Sequence, residues 1–534
     1  MENERYRDIY DGFRWNVPGR FNIGVDICDR VAAHSPGAPA LIWEGAGGDW
    51  TTLTFGWLRE QSNRLANGLV AHGLRRGDRV AVLLGQCPET AVAHIGILKA
   101  GLISVPLFTA FGESALAYRI EDSGARAIVT DSAQLPKVLG LRNPNLELIL
   151  CVGGKKSDAV SYADFLDRAS PAFSPVDTAA DDPALIIYTS GTTGAPKGAL
   201  HAHRMLIGHD PGIEFVHFGM KSGGAERFWS PQDWAWVAGL VNILFCALRR
   251  GIPVIAADRR FDPEWAWHLL ERRRPTRVFI PPTAVHQMRR LNPSGRRETH
   301  LQSIGTGGET LSPEILGWAD DVFGVPLNEA FGQTECNMIV GNSAAVMPVK
   351  RGSMGRAMPG HTVSVVDSDG QPAPGTGIVA VRRGDPVMFL EYWKEPQATA
   401  EKFAGEWLLT GDLARQDGDG YLFYVGRADD VINTAGYRVG PTEIEEALMS
   451  HQNVAAAGVI GVPDSERGQA IKAFIELSVD AMPSEALAEE LRAHVKARLA
   501  RHLYPRAIEF IAEMPRTVTG KVRRRDLRER RGGR

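Results

Sequence analysis

The segment YTSGTTGAPKG, from Tyr188 to Gly198, has the composition of a polyphosphate cradle. Gly191, Gly194 and Gly198 let backbone N–H groups turn toward one point. Thr189, Ser190, Thr192 and Thr193 add hydroxyl donors, and Lys197 adds a cation. Many short donors with little steric bulk are what phosphate oxygens need. The loop is not of the Walker type, because no Gly-Lys-Ser/Thr closes it. Taken alone, the same residues would also serve as a plain turn between a strand and a helix. Two other groups invite chemistry and are read as bland. His201 and His203 have no cysteine or carboxylate company, so they read as packed or substrate-proximal rather than metal-binding. The basic run KVRRRDLRERR has no interleaved aromatics, which argues against nucleic acid.

The elements around this loop alternate. RVAVLLG (79–85), ISVPLF (103–108), ARAIVTD (125–131), ALIIYTS (184–190), IPVIAA (252–257) and TRVFIPP (276–282) read as buried strands. ETAVAHIGILKAG (89–101) reads as a helix between two of them. Strands alternating with helices predict α/β layers and mostly parallel sheets. Near residue 370 the texture changes to short antiparallel strands joined by Asp-Gly turns. Beyond Asp429 lies a compact tail, with TEIEEAL opening on a capping box from Thr442 to Glu445. The expected fold is α/β. A large N-terminal domain (1–428) has layered α/β subdomains plus a β-barrel-like subdomain. A small mobile α+β domain (429–534) follows.

Bulk properties add bounds. The 534 residues allow roughly three to four folding units. A formal charge of −3 gives no overall bias toward nucleic acid. Cys28, Cys87, Cys151, Cys246 and Cys336 form no CxxC pair, so the reading is a reducing, cytoplasmic setting without a disulfide framework. The apolar stretch near 91–108 is broken by His94, Lys99 and Pro106, which argues against a membrane span.

The loop resembles the phosphate loop of the adenylate-forming superfamily: acyl-CoA synthetases, adenylation domains and luciferases. Further segments resemble the family's motifs in order: GTGGETL (305–311), NEAFGQTE (328–335), GDLARQDGDGYLFYVGRADDVINTAGYRVGPTEIE (411–445) and PRTVTGK (515–521). The nearest match is to short- to medium-chain acyl-CoA synthetases. The resemblance implies ATP, Mg2+ and CoA as co-reactants. Thr189, Ser190, Gly191, Thr192, Thr193, Gly194 and Lys197 would hold ATP phosphates. Gly308, Glu309, Thr310, Glu329, Ala330, Phe331, Gly332 and Gln333 would line the adenine side. Thr334 would meet the α-phosphate and Glu335 the metal. Asp412 would accept the ribose hydroxyls, Arg427 would contact ribose or phosphate, and Arg438 would meet phosphate. Lys521 would be the catalytic lysine of adenylation. Asp429 would be the hinge, with Asp430 as its neighbouring alternative. Gly436, Tyr437 and Lys496 would serve CoA.

The acid itself is less legible. Trp234, Trp236, Val237, Ala238, Gly239 and Gly307 resemble the acyl-pocket lining. Gly332 stands where acetyl-CoA synthetases carry a Trp, so an open wall and a larger acid are expected. A bulkier Gly332→Trp would then favour acetate. The implied activity is ATP-dependent acyl-CoA synthesis on a short-branched to medium-chain or aryl acid. A free-standing enzyme loading a carrier protein, and a non-catalytic nucleotide sensor, are the other readings. The Pro515–Gly520–Lys521 pattern also implies a lysine acyltransferase and deacylase acting on Lys521.

Overall fold

The computed structural model describes residues 2–45, 47–141, 143–154, 158–189, 195–219, 226–291, 295, 297–309, 311–434, 437–464, 468–479, 481–499, 503–517 and 521–530. The chain divides into two compact units. One comprises 1–189, 196–362 and 382–401; the other comprises 190–195, 363–381 and 402–534.

The first unit contains two large sheets. In one, Arg79–Leu83, Ile103–Pro106, Ala127–Asp131 and Leu148–Val152 run parallel, and Pro183–Thr189 joins beside Ile103–Pro106. Its far edge is antiparallel: Lys197–Ala202 pairs with Pro183–Thr189, and Glu391–Tyr392 pairs with Lys197–Ala202. In the other sheet, Val254–Ala257, Phe228–Trp229, Arg277–Phe279, Ser303–Gly307 and Leu327–Gln333 run parallel. The antiparallel strand Cys336–Gly341 then closes a hairpin.

Local sequence explains these elements. Arg79–Leu83 is an apolar run buried almost throughout, as a parallel strand covered on both faces must be. Helix Pro88–Lys99 starts on a proline whose missing N–H costs nothing there, and all but one of its residues are buried. Thr54 caps helix Phe55–Ala71 by accepting from Trp57 N at 3.2 Å. Asp262 does the same for helix Pro263–Arg273 through Trp265 N at 2.8 Å.

The second unit holds two smaller sheets. Val363–Val366, Thr376–Arg382, Trp407–Gln416, Phe403–Ala404 and Leu422–Arg427 form one, with the expected antiparallel hairpins. The other pairs Val454–Asp464 with Gly468–Leu477, and Ala507–Ile511 lies parallel to Gly468–Leu477. Helices Pro441–Met449 and Glu485–Arg498 contribute Ile444, Leu448, Leu487, Leu491 and Val495 to its core.

The phosphate loop leads into the antiparallel strand Lys197–Ala202, so the plain strand-to-helix turn does not apply. One local expectation fails: the capping box at Thr442 does not form. Gly440 is the cap residue, Pro441 opens the helix, and no side chain caps it. Glu445 instead accepts from Val459 N at 2.8 Å and from Arg524. A charged partner elsewhere in the fold outweighs one reciprocal cap.

Candidate active site

In the first unit, Thr189 lies opposite Lys197 across the hairpin that carries the phosphate loop. Ser190, Gly191, Thr192, Thr193 and Gly194 lie outside the described residues. The hairpin is held at several points. Tyr188 donates its hydroxyl to Asp122 Oδ2 at 2.6 Å, and burial and that carboxylate push its pKa up, so it stays a donor. The Tyr118 hydroxyl donates to Pro196 O at 2.9 Å, and Trp393 N donates to Gly198 O at 2.7 Å. Gly198 is needed for close packing, since a Cβ there would stand 2.8 Å from Ile186 Cγ2. The Lys197 ammonium lies 5.2 Å from the centre of the Tyr392 ring.

The adjoining sheet brings the second group together. Gly307 pairs with Ala330 and Thr306 with Glu329. Gly308 has φ of +94°, a conformation that favours glycine, and turns the chain at the strand end. Glu309 follows it, and Thr310 lies outside the described residues. In the hairpin, Phe331 faces Val340 and Gln333 faces Cys336, which leaves Thr334 and Glu335 at its tip. Glu335 is 6% exposed, yet it is a carboxylate at a turn. The Tyr392 hydroxyl donates to Glu335 Oε1, and Phe389 N donates to the Glu335 carbonyl at 2.8 Å.

Among the described residues, no three or more His, Cys, Asp or Glu gather to hold a metal ion. One buried carboxylate next to a hydroxyl is the donor set of a metal held mostly by phosphate oxygens and water. That suits Mg2+, which keeps few protein carboxylates. His201 and His203 are buried; His203 Nδ1 accepts from Ile23 N at 3.1 Å.

The residues expected to line the acyl pocket lie in the first unit. Trp234, Val237 and Gly239 are buried, and Ala238 opens a π-helical stretch, Ala238–Phe245. Trp236 is half-buried against Phe108 and Phe111, with ring centres at 5.7 and 6.1 Å. The glycines pack on backbone instead of opening space. A Cβ would meet Asp233 O at 2.2 Å from Gly239, and Ala330 O at 2.3 Å from Gly307. At Gly332 it would meet Met338 N at 2.4 Å. Contrary to the open wall expected at Gly332, a Cβ there would crowd the backbone of the Glu335 hairpin. Gly332→Trp should then depress adenylation with every acid by about 10-fold or more, as a misplaced site costs. A clean shift of preference toward acetate, measured with an acid series, would contradict this.

The second unit carries the remaining groups. Asp412 lies opposite Arg427, with Arg427 Nη1 3.4 Å from Asp412 Oδ2. Burial pushes the Asp412 pKa up, and Arg427, Lys521 and Lys402 pull it back. Lys521 thus lies within electrostatic reach of Asp412. It is exposed on a turn braced by Thr517 N donating to Lys521 O at 2.7 Å and Lys521 N donating to Thr517 Oγ1 at 3.1 Å. Arg427 Nε donates to Asp429 at 3.2 Å. Asp430 is buried and binds Arg524 at 3.1 Å and Arg528 at 2.6 Å. Much of the basic run is therefore engaged within the protein. Tyr437 and Arg438 lie on the strand Tyr437–Val439, and Gly436 lies outside the described residues. Lys496 is exposed with its ammonium 4.1 Å from the Tyr504 ring centre.

Two family models match the chain: AMP-binding enzyme over residues 28–393, and AMP-binding enzyme C-terminal domain over 443–521. The chain belongs to the AMP-binding enzyme family. It is an AMP-forming acid–thiol ligase of the adenylate-forming superfamily, as the motifs implied. The chain is 34% identical to the acetyl-coenzyme A synthetase of Bacillus subtilis, covering 98% of this chain and 95% of that one. It is also 34% identical to human mitochondrial acyl-coenzyme A synthetase ACSM5, covering 97% and 92%. Among solved structures it resembles the anthranilate CoA ligase AuaEII in complex with anthranoyl-AMP. The TM-score is 0.87 at 26% identity, covering 96% of this chain and 98% of that one. No described helix is long and apolar enough to cross a membrane.

Sequence reasoning missed Tyr392 and Lys402. Tyr392 lies 57 residues from Glu335, and Lys402 lies just before the 411–445 motif and donates to Leu409 O and Thr410 O. Neither segment has a Gly-rich or repeated pattern to mark it.

Proposed function

We propose that this AMP-binding enzyme activates a short-branched to medium-chain or aryl carboxylic acid with ATP and transfers it to CoA. The observation that carries the reading is the pairing of buried Asp412 with Arg427 on adjacent strands. A diol-accepting carboxylate, a phosphate-directed guanidinium and a swinging ammonium suit one adenylate.

In the first step, a carboxylate oxygen attacks the α-phosphorus and pyrophosphate leaves. Two anions must meet, and charge builds on the phosphate oxygens. Lys197, the loop N–H groups and Thr334 receive the phosphates, while Lys521 neutralises the developing charge. Mg2+, when bound, screens phosphate charge, and Glu335 is the carboxylate that would hold it. Asp412 accepts the ribose hydroxyls. Gly308, Glu309, Thr310, Glu329, Ala330, Phe331, Gly332 and Gln333 bound the adenine.

In the second step, the CoA sulfur attacks the acyl carbonyl and AMP leaves with the carboxylate oxygen. The ammonium must withdraw first, so the body 429–534 turns. We take Asp429 as the hinge. Asp430 is tied to Arg524 and Arg528 and so moves with the last helix, while Asp429 meets Arg427 on the preceding strand. Gly436, Tyr437 and Lys496 would then serve CoA, and Arg438 its phosphate. The exposure of Lys521 also supports control by a lysine acyltransferase, because acylation removes the charge. The buried free cysteines suit a reducing cytoplasm.

The acid class is supported by relatives named as an acyl-coenzyme A synthetase and an anthranilate CoA ligase, and by the half-buried Trp236 cluster as an aromatic wall. The experiment is a panel of aliphatic and aryl acids with ATP, Mg2+ and CoA, followed by AMP release. Butyrate, branched acids or benzoate should outperform acetate. ADP as product, or AMP release only with a carrier protein, would overturn the proposal.

A further inference from the structure

Glu335 and Lys197 come from different sheets of the first unit, yet both touch one side chain. Tyr392 lies on the edge strand Glu391–Tyr392, opposite Ala199. Leu390 N donates to Leu200 O and Trp393 N to Gly198 O, both at 2.7 Å, so the strand is fixed on either side of the tyrosine. Tyr392 N also donates to Thr399 Oγ1 at 2.9 Å, and Phe389 packs on the ring at 5.0 Å. Tyr392 is 5% exposed. A phenol so buried needs a partner for its O–H, and here that partner is Glu335 Oε1.

We infer that Tyr392 is a positioning residue for the metal carboxylate: its hydroxyl fixes the rotamer of Glu335, and its ring face seats the Lys197 ammonium. The inference rests on the role proposed above for Glu335. A carboxylate offers about four acceptor positions, so a bond at one oxygen orients the group and leaves capacity for a cation. Partners of this kind hold metal ligands in place, and losing one typically costs about 10–100-fold in metal affinity. Lys197 meets the ring face and Glu335 meets the hydroxyl, so the two contributions separate. Phenylalanine keeps the cation–π contact and removes only the carboxylate bond.

The test uses the full chain with a non-hydrolysable α,β-methylene ATP and Mn2+, with bound metal read by electron paramagnetic resonance. Tyr392→Phe should weaken Mn2+ binding by about 10-fold or more, with circular dichroism and tryptophan fluorescence unchanged. The Mg2+ concentration for half-maximal pyrophosphate exchange should rise by the same factor. Tyr392→His, which retains an N–H donor, should bind Mn2+ more tightly than Tyr392→Leu, and this comparison serves if the Phe variant is unstable. Glu335→Gln separates the two levels. If it loses Mn2+ while Tyr392→Phe binds like wild type, the positioning role is overturned. If Glu335→Gln also binds like wild type, the metal assignment itself falls.

Discussion

Lys521→Ala should slow pyrophosphate release by about 10²–10³-fold, the usual effect of deleting one group aimed at developing charge. Thioester formation from a synthetic acyl-adenylate and CoA should stay near wild type, because that step has no need of the ammonium. The contrast follows from placement. Lys521 is exposed on its turn, with its amide on Thr517, so truncation beyond Cβ removes a charge and little packing. Its positive charge favours the carboxylate form of buried Asp412, the residue read as the ribose acceptor. Pre-steady-state measurement of both half-reactions decides the matter. Equal losses in the two steps would assign Lys521 to general structure.

Acid should unfold the protein steeply. His94, His201 and His217 are held down to about 3, and His203 and His209 to about 4, all by burial, from an ordinary 6.5. Each is neutral in the fold and charged in the unfolded chain below about pH 6.5. The unfolded state therefore binds more protons, and stability falls as pH drops through that window. The contribution is complete above pH 6.5 and is lost progressively as pH falls to about 4 for His203 and His209 and to about 3 for His94, His201 and His217. One such group costs roughly 1–1.5 kcal/mol per pH unit below its unfolded pKa, so the five together cost roughly 7 kcal/mol per pH unit. Against a native stability of about 5–15 kcal/mol, unfolding near pH 5 follows. Melting temperature against pH, with proton uptake measured across the transition, checks this. A melting temperature unchanged from pH 7 to pH 4.5 would contradict it.

What could be read from sequence had a local cause. The strands at 79–83, 127–131 and 183–189 are short apolar runs between turn residues, and burial on both faces demands that pattern. The hairpin at 407–427 announces itself through its Asp-Gly turn. The family motifs supplied Asp412, Arg427 and Lys521, which the fold gathers in one unit. What failed depended on folded partners that no motif marks. Glu445 looked like a helix cap, but Arg524 takes its carboxylate. Gly332 looked like missing bulk, but the backbone of Asn337 and Met338 occupies the space. Tyr392 carried no signal, because its partner lies 57 residues earlier. The π-helical turn at Ala238–Phe245 follows from tertiary packing, and its apolar run is equally compatible with an ordinary helix.

Oxygen tracing tests the chemistry most directly. An acid labelled with 18O in both carboxylate oxygens, turned over with ATP and CoA, should deliver one labelled oxygen to AMP per thioester formed. Pyrophosphate should remain unlabelled. Label in inorganic phosphate with ADP as co-product, or unlabelled AMP, would contradict attack by the carboxylate on the α-phosphorus.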